Sequence, residues 1–176
     1  FVIYPINQNK EFNFISIIRK KLIEEEMSNR DLFNDNTFIE NLLNQISSKS
    51  KFNLDEKVEE IKCFPIFVSK KFQIPTLKNV FLIGDAFYSF PPSFAQGASQ
   101  SIEAANDLFN DLENNSSNYY KKRILKTKQI DSRSTLNHFV FHLSNPLNIF
   151  FRDIFLRRLS KNKTFLENYL GKIYTN

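Results

Sequence analysis

Glycine is scarce in this chain. Only Gly84, Gly97 and Gly171 occur in 176 residues, so sharp turns and close backbone approaches are confined to very few places. Two of the three bracket one stretch, residues 80–112, reading VFLIGDAFYSFPPSFAQGASQSIEAANDLFNDL. The uncharged run Val80-Phe81-Leu82-Ile83 predicts a short buried strand that stops at Gly84-Asp85. Pro91-Pro92 then forbids both helix and ladder. After Gln96-Gly97, the spacing of Ile102, Ala105, Phe109 and Leu112 predicts a helix with one apolar face turned to a core. A strand, an acid-tipped loop and a helix start in this order aim a carboxylate and free, partly positive N–H groups at one spot. That arrangement suits a ligand with hydroxyls and an electron-rich or anionic edge.

Either side of this stretch the patterning is plainer. Residues 1–6, a turn at Asn7-Gln8-Asn9-Lys10 and residues 12–18 predict a hairpin. Residues 20–30 are highly charged, with Glu24-Glu25-Glu26 read as surface. Asp35 or Asn36 can cap a helix carrying Phe38, Ile39, Leu42, Leu43 and Ile46 on one face. A shorter helix is expected over residues 55–60. Alternation at Phe64, Ile66, Val68, Phe72 and Ile74 predicts a strand, with Pro65 at its start or on an edge. Beyond Leu112 the chain reads as helical, with Ser117 or Asn118 as cap, a stripe at Leu136, Phe139, Val140 and Leu143, a break at Pro146, and a second stripe at Leu147, Phe151, Ile154 and Phe155. Both stripes are expected in a core.

Composition bounds the partners. The net charge of +5 is unevenly placed: residues 119–163 hold eleven Lys or Arg against Asp131 and Asp153. A basic helical region can serve nucleic acid or an anionic membrane surface. No nucleic-acid motif accompanies it, so a solvated face is the preferred reading, with no specific nucleic acid and with peripheral membrane contact left open. Residues 134–151 carry no Lys, Arg, Asp or Glu, yet Pro146, three asparagines and two histidines argue against a spanning helix. The single Cys63 excludes an internal disulfide and suits a reducing, cytoplasmic setting. His138 and His142 have the spacing of two metal ligands without a third, so no metal is expected. Ser89, Ser93 and Ser99 lack the Gly-x-Ser-x-Gly elbow of a hydrolase.

The motif Gly84-Asp85-Ala86, Pro92, Ala95-Gln96-Gly97-Ala98, Ile102-Glu103 and Ala105 resembles the second flavin-binding motif of single-component FAD-dependent aromatic hydroxylases, the p-hydroxybenzoate and salicylate hydroxylase type. Shorter similarities lie at Tyr4-Pro5-Ile6, Asn13-Phe14, Arg133, His142-Leu143-Ser144 and Pro146. The resemblance implies an FAD-dependent monooxygenase that draws reducing equivalents from NADH or NADPH and hydroxylates an aromatic substrate with dioxygen. It implies Asp85 as acceptor for the ribityl chain, Gly97 and Ala98 at the pyrimidine edge of the flavin, and Pro92 beside the reacting face, with Gly84, Ala95 and Gln96 completing the motif. Tyr88 stands where a histidine is usual, Phe94 where smaller residues are common, and Ala104 where an aspartate is usual.

The fold expected is mixed α/β or α+β, the C-terminal portion of such an enzyme. Residues 1–78 would supply part of a substrate-domain sheet with helices, 79–113 the flavin motif, and 114–176 a helical region. Gly84, Gly97 and Gly171 are too far apart for a dinucleotide fingerprint, so the N-terminal dinucleotide-binding half is expected upstream. Two further readings stand beside this one: a related flavoprotein, such as a quinone-pathway hydroxylase or a halogenase, and a basic helical interaction domain without catalysis.

Overall fold

The computed structural model describes residues 2–47 and 61–171. The chain is mostly helical, with one two-stranded sheet, and is of the mixed α+β class. It divides into two compact units, Phe1–Pro65 and Ile66–Asn176.

In the first unit β1 (Val2–Ile6) pairs antiparallel with β2 (Glu11–Ile15), Tyr4 opposite Asn13. The reversal runs through Asn7, Gln8 and Asn9, all at positive φ (46°, 57° and 67°), a region that Asn enters more easily than most residues. The acidic run opens a short helix, α1 (Glu24–Ser28), where Glu26 binds Lys20 at 2.7 Å. Helix α2 (Asn36–Ser47) starts where Asp35 accepts a hydrogen bond from the Phe38 amide at 2.7 Å. It buries Ile39 and Leu42. The helix expected over residues 55–60 lies outside the described residues.

The second unit is built on α3 (Gly97–Glu113) and α4 (Tyr119–Phe141). Asn145 accepts hydrogen bonds from the Leu147 and Asn148 amides at 2.9 and 3.4 Å, and with Pro146 at the first helical position it starts α5 (Pro146–Leu159). The short α6 (Lys163–Leu166) follows. No helix among the described residues is long and apolar enough to cross a membrane.

Two expected strands do not form. The run Val80 to Ile83 joins no ladder, although Ile83 itself is extended, and Val80, Phe81 and Ile83 are exposed. Tyrosine hydroxyls replace the missing neighbour: Tyr119 Oη donates to the Leu82 carbonyl (3.0 Å), and the Leu82 amide donates to Tyr120 Oη (3.2 Å). Residues 61–74 are likewise unladdered. Ser69 and Gln73 donate to the carbonyls of Ser89 and Phe87 (2.7 and 3.0 Å), and four residues on one side against two on the other, with a bend at Lys70-Lys71, cannot keep a continuous register.

The faces of α3 and α4 also differ from expectation. Ile102, Phe109 and Leu112 are exposed, as are Leu136, Phe139, Leu147, Phe151, Ile154 and Phe155. What α3 and α4 turn inward is polar: Gln100, Asp111, Arg123, Thr127 and Ser134 are buried beside Ala104, Tyr119 and Ile130. Arg123, 2% exposed, explains the inversion. Its Nη1 lies 3.1 Å from Asp107 Oδ2 and 3.4 Å from Glu103 Oε1, and its Nη2 donates to the Gln100 side-chain oxygen (3.0 Å) and carbonyl (3.3 Å). A guanidinium with four acceptors on one helix face fixes which face that is.

The start of α4 depends on a carboxylate from α3. Asn118 makes no side-chain cap; Asp111 accepts instead from the Asn118 amide (3.1 Å), the Tyr119 amide and the Ser116 hydroxyl. The Ser116 hydrogen bond, then the backbone ones, hold the Asp111 carboxyl below its ordinary range against the opposing effect of burial.

Arg123→Ala strands the Asp107 carboxylate and Gln100, while Glu103 keeps Lys126 at 3.1 Å, and its urea midpoint should fall by the equivalent of about 3–5 kcal/mol; Lys126→Ala, which loses only a pair at the edge, should lose under about 1 kcal/mol. A depressed Asp111 pKa means a contribution present above the unfolded carboxyl pKa and lost as pH falls through the lower folded value. Urea midpoints compared at neutral and strongly acid pH should therefore drop further for the parent chain than for Asp111→Asn.

Candidate functional site

The site begins where the run from Val80 to Ile83 ends. Gly84 has φ +56°, a conformation that side-chain-bearing residues resist, and a Cβ there would lie 2.5 Å from Ser101 Oγ and 3.2 Å from Ser101 Cβ. The turn Gly84–Ala86 is closed by the Phe87 and Tyr88 amides, both donating to the Gly84 carbonyl at 3.0 Å. Glycine is thus needed twice, for its dihedral and for the approach of the turn to α3. The turn presents Asp85 to solvent, and no described residue bonds its carboxylate.

The second arm is the proline loop. Pro92–Phe94 forms one tight turn, and Ala95 follows in the left-handed region (φ 51°, ψ 34°). Helix α4 holds this loop in place: Ser134 Oγ donates to the Pro91 carbonyl, Asn137 Nδ2 donates to the Ser93 carbonyl at 3.4 Å, and Ser93 Oγ lies 3.3 Å from His138 Nδ1. A non-glycine residue at positive φ persists only under such constraint. Directly after it α3 starts at Gly97 with no side-chain cap, so its first amides and its positive dipole end remain available. A Cβ on Gly97 would meet nothing within 4 Å. The space above that helix start is open.

These arms meet in one small cleft lined by Gly84, Asp85, Tyr88, Gly97, Gln100 and Arg123, among others. Three residues singled out from sequence, Gly84, Asp85 and Gly97, come together there. The others do not line it. Gln96 is buried and its side-chain oxygen accepts from Ser99 Oγ at 3.1 Å; Ala95 is the left-handed joint; Ala98 and Pro92 are exposed on the helix start and the loop.

Sequence reasoning missed Gln100, Arg123 and Thr127, which close the cleft from α3 and α4. The signal was present as a second stripe, Gln100, Glu103, Asp107 and Asp111, as regular in period as the apolar one. Arg123 Nε is buried without a hydrogen-bond partner among the described residues. Tyr88 packs on Phe72 (ring centroids 4.7 Å apart), and burial, reinforced by the neighbouring Asp131 carboxylate, raises its phenol pKa. Burial likewise pushes the Tyr119 phenol up to about 12. The His138 and His142 rings lie 4.2 Å apart, tilted by 38°, and no group of three or more His, Cys, Asp or Glu among the described residues could hold a metal ion.

Gly84→Ala should lower stability by about 1–3 kcal/mol in urea titrations, combining left-handed strain with the Ser101 clash. Adding Ser101→Gly should recover the clash and leave the strain, so the double variant should fall between Gly84→Ala and the parent.

Compared with known proteins, the chain matches no family model, no curated protein and no solved structure.

Proposed function

We propose that the cleft is the flavin-ring side of an FAD-dependent monooxygenase site, in an enzyme of the aromatic-hydroxylase type that uses NADH or NADPH as reductant and an aromatic compound and dioxygen as substrates. The observation that carries this reading is the meeting of Asp85, exposed and unbonded on a glycine turn, with the uncapped start of α3 in one cleft. A ribityl chain offers hydroxyl donors, which an unpaired carboxylate accepts; an isoalloxazine offers carbonyl oxygens at its pyrimidine edge, which free helix amides bind. The reduced ring also carries negative charge that a helix N-terminus stabilises. Open space above Gly97 admits a planar group close to the backbone.

In this reading flavin supplies the redox and oxygen chemistry, while the chain supplies orientation and electrostatics. Asp85 fixes the ribityl hydroxyls. Gly97 and Ala98 present amides to the ring edge, and Pro92 stiffens the loop beside the ring without offering a donor of its own. The buried Arg123 holds the first turn of α3 through Gln100, so the amides are fixed before a ligand arrives. The adenosine diphosphate half finds no glycine-rich turn in this sequence.

Titration of the 176-residue chain with riboflavin and with FAD, followed by flavin fluorescence, tests the reading. The two should bind weakly and within a few-fold of each other, because only the ring and ribityl chain are held. Asp85→Ala should weaken both by roughly tenfold to a hundredfold, the equivalent of about 1.5–3 kcal/mol for a hydrogen bond to a charged acceptor. Equal affinities for parent and Asp85→Ala, or FAD held far more tightly than riboflavin, would overturn it.

A further inference from the structure

Five polar side chains line the cleft: Asp85, Tyr88, Gln100, Arg123 and Thr127. Two of them are engaged within the chain. Tyr88 gives its hydroxyl to the Asp131 carboxylate. Gln100 Nε2 donates to Glu103 Oε2 at 3.0 Å and to Gln96 Oε1 at 3.4 Å, while its Oε1 accepts from Arg123 Nη2 at 3.0 Å. The other three keep unused capacity. Arg123 Nε and the Thr127 hydroxyl have no hydrogen-bond partner among the described residues, although Arg123 is 2% and Thr127 4% exposed. A buried donor left unpaired is costly, and native structures seldom leave one so. These two lie four positions apart on α4, hence on one helix face, and both border the same cleft. Together they point to an acceptor that enters it.

Size and charge define that acceptor. The cleft has about 10 Å³ for the centre of a water-sized group, room for one oxygen atom. A planar ring therefore stays outside, over Gly97. Arg123 is already met by Asp107 and Glu103, and the Asp85 carboxylate borders the same space, so an anion gains no net attraction there. A carbonyl oxygen could accept from Arg123 and Thr127 but would set its lone pairs against Asp85. An alcohol hydroxyl satisfies all three, accepting on its oxygen and giving its hydrogen to the carboxylate.

We propose that the cleft is a socket for a single alcohol hydroxyl of the ligand, which accepts from Arg123 Nε and Thr127 Oγ1 and donates to Asp85. The inference rests on the flavin reading, which supplies the ligand: the group is one hydroxyl of the ribityl chain. Arg123 and Thr127 then join the site as ligand-binding residues from α4, outside the turn and helix start that carry Asp85 and Gly97. Arg123 divides its work between its nitrogens, the Nη pair holding α3 and Nε facing the ligand. The socket makes the site selective for a flavin with a hydroxylated side chain over the same ring without one.

Fluorescence titrations of the full chain with riboflavin and with lumiflavin, which has the same ring and a methyl group in place of the ribityl chain, test it. Riboflavin should bind the parent at least roughly tenfold more tightly than lumiflavin. Thr127→Val replaces the hydroxyl by a methyl group of similar size; it should weaken riboflavin roughly threefold to tenfold, the loss of one hydrogen bond, and leave lumiflavin unchanged. Thr127→Ser should restore riboflavin. Because substitution of Arg123 loosens α3, its contribution is read in the parent chain by NMR: the Arg123 Nε–H resonance should shift on adding riboflavin and stay in place with lumiflavin. If Thr127→Val binds riboflavin as the parent does, or the Nε–H resonance ignores riboflavin, the socket holds only water and the proposal is overturned while the flavin reading stands. Equal weakening of both flavins by Thr127→Val would make Thr127 a structural residue and overturn it too. If neither flavin binds the parent, the flavin reading fails and takes the proposal with it.

Discussion

A guanidinium shut between two helices governs the second unit. Arg123 sits on α4 with its side chain 3% exposed and spends its Nη donors on Gln100, Glu103 and Asp107 of α3. Burying a charge this completely is tolerable only when the pairing is dense. The four acceptors come from successive turns of one helix, so the pairing also sets rotation: α3 cannot turn its apolar side to α4 without stranding the cation. Everything else about the unit, including which side chains reach the cleft, follows from that choice.

The unit is therefore polar where small domains are usually apolar, and apolar where they are usually polar. Ala104, Tyr119 and Ile130 are buried among Gln100, Thr127 and Ser134, while many phenylalanines and leucines remain outside. Dense hydrogen bonding can specify a unique arrangement, but it yields less net stabilisation per group than apolar burial does. The bare stripes on α3 and α5 are unused apolar area of the kind that marks interaction surfaces.

What could be read in advance was local. The hairpin around Asn7 to Asn9, the Asp35 start of α2, the Gly97 start of α3 and the interruption at Pro146 each depend on residues within a few positions of one another, and each is present. The strands at residues 61–74 and 80–83 were not legible in the same way, because an apolar run becomes a strand only when another lies beside it. Helical spacing of Ile102, Ala105, Phe109 and Leu112 identified a helix correctly and its inward face wrongly: period reveals that two faces differ, and a distant arginine chose between them. Asp111 escaped notice as the cap of α4 because it lies seven positions before Asn118, across a loop, whereas Ser117 and Asn118 were adjacent. In the cleft, Gly84, Asp85 and Gly97 were legible from glycine scarcity; Gln100 and Arg123 required knowing how two helices are turned.

The tyrosine pair at the head of α4 ties local opening of the cleft to an event outside it. Leu82, two residues before the Gly84 turn, has its carbonyl and amide held by Tyr119 and Tyr120, and those tyrosines occupy the first turn of a helix whose leading amides rest on Asp111. Fraying of that turn releases the backbone leading to Asp85. Amide hydrogen exchange at Leu82 is thus limited by the fraying of α4, making the approach to the cleft and the helix start one cooperative opening unit. The loop behind Pro92, held near the other end of α4 by Ser134, Asn137 and His138, belongs to a separate one. One wall of the cleft can therefore breathe while the other stays closed.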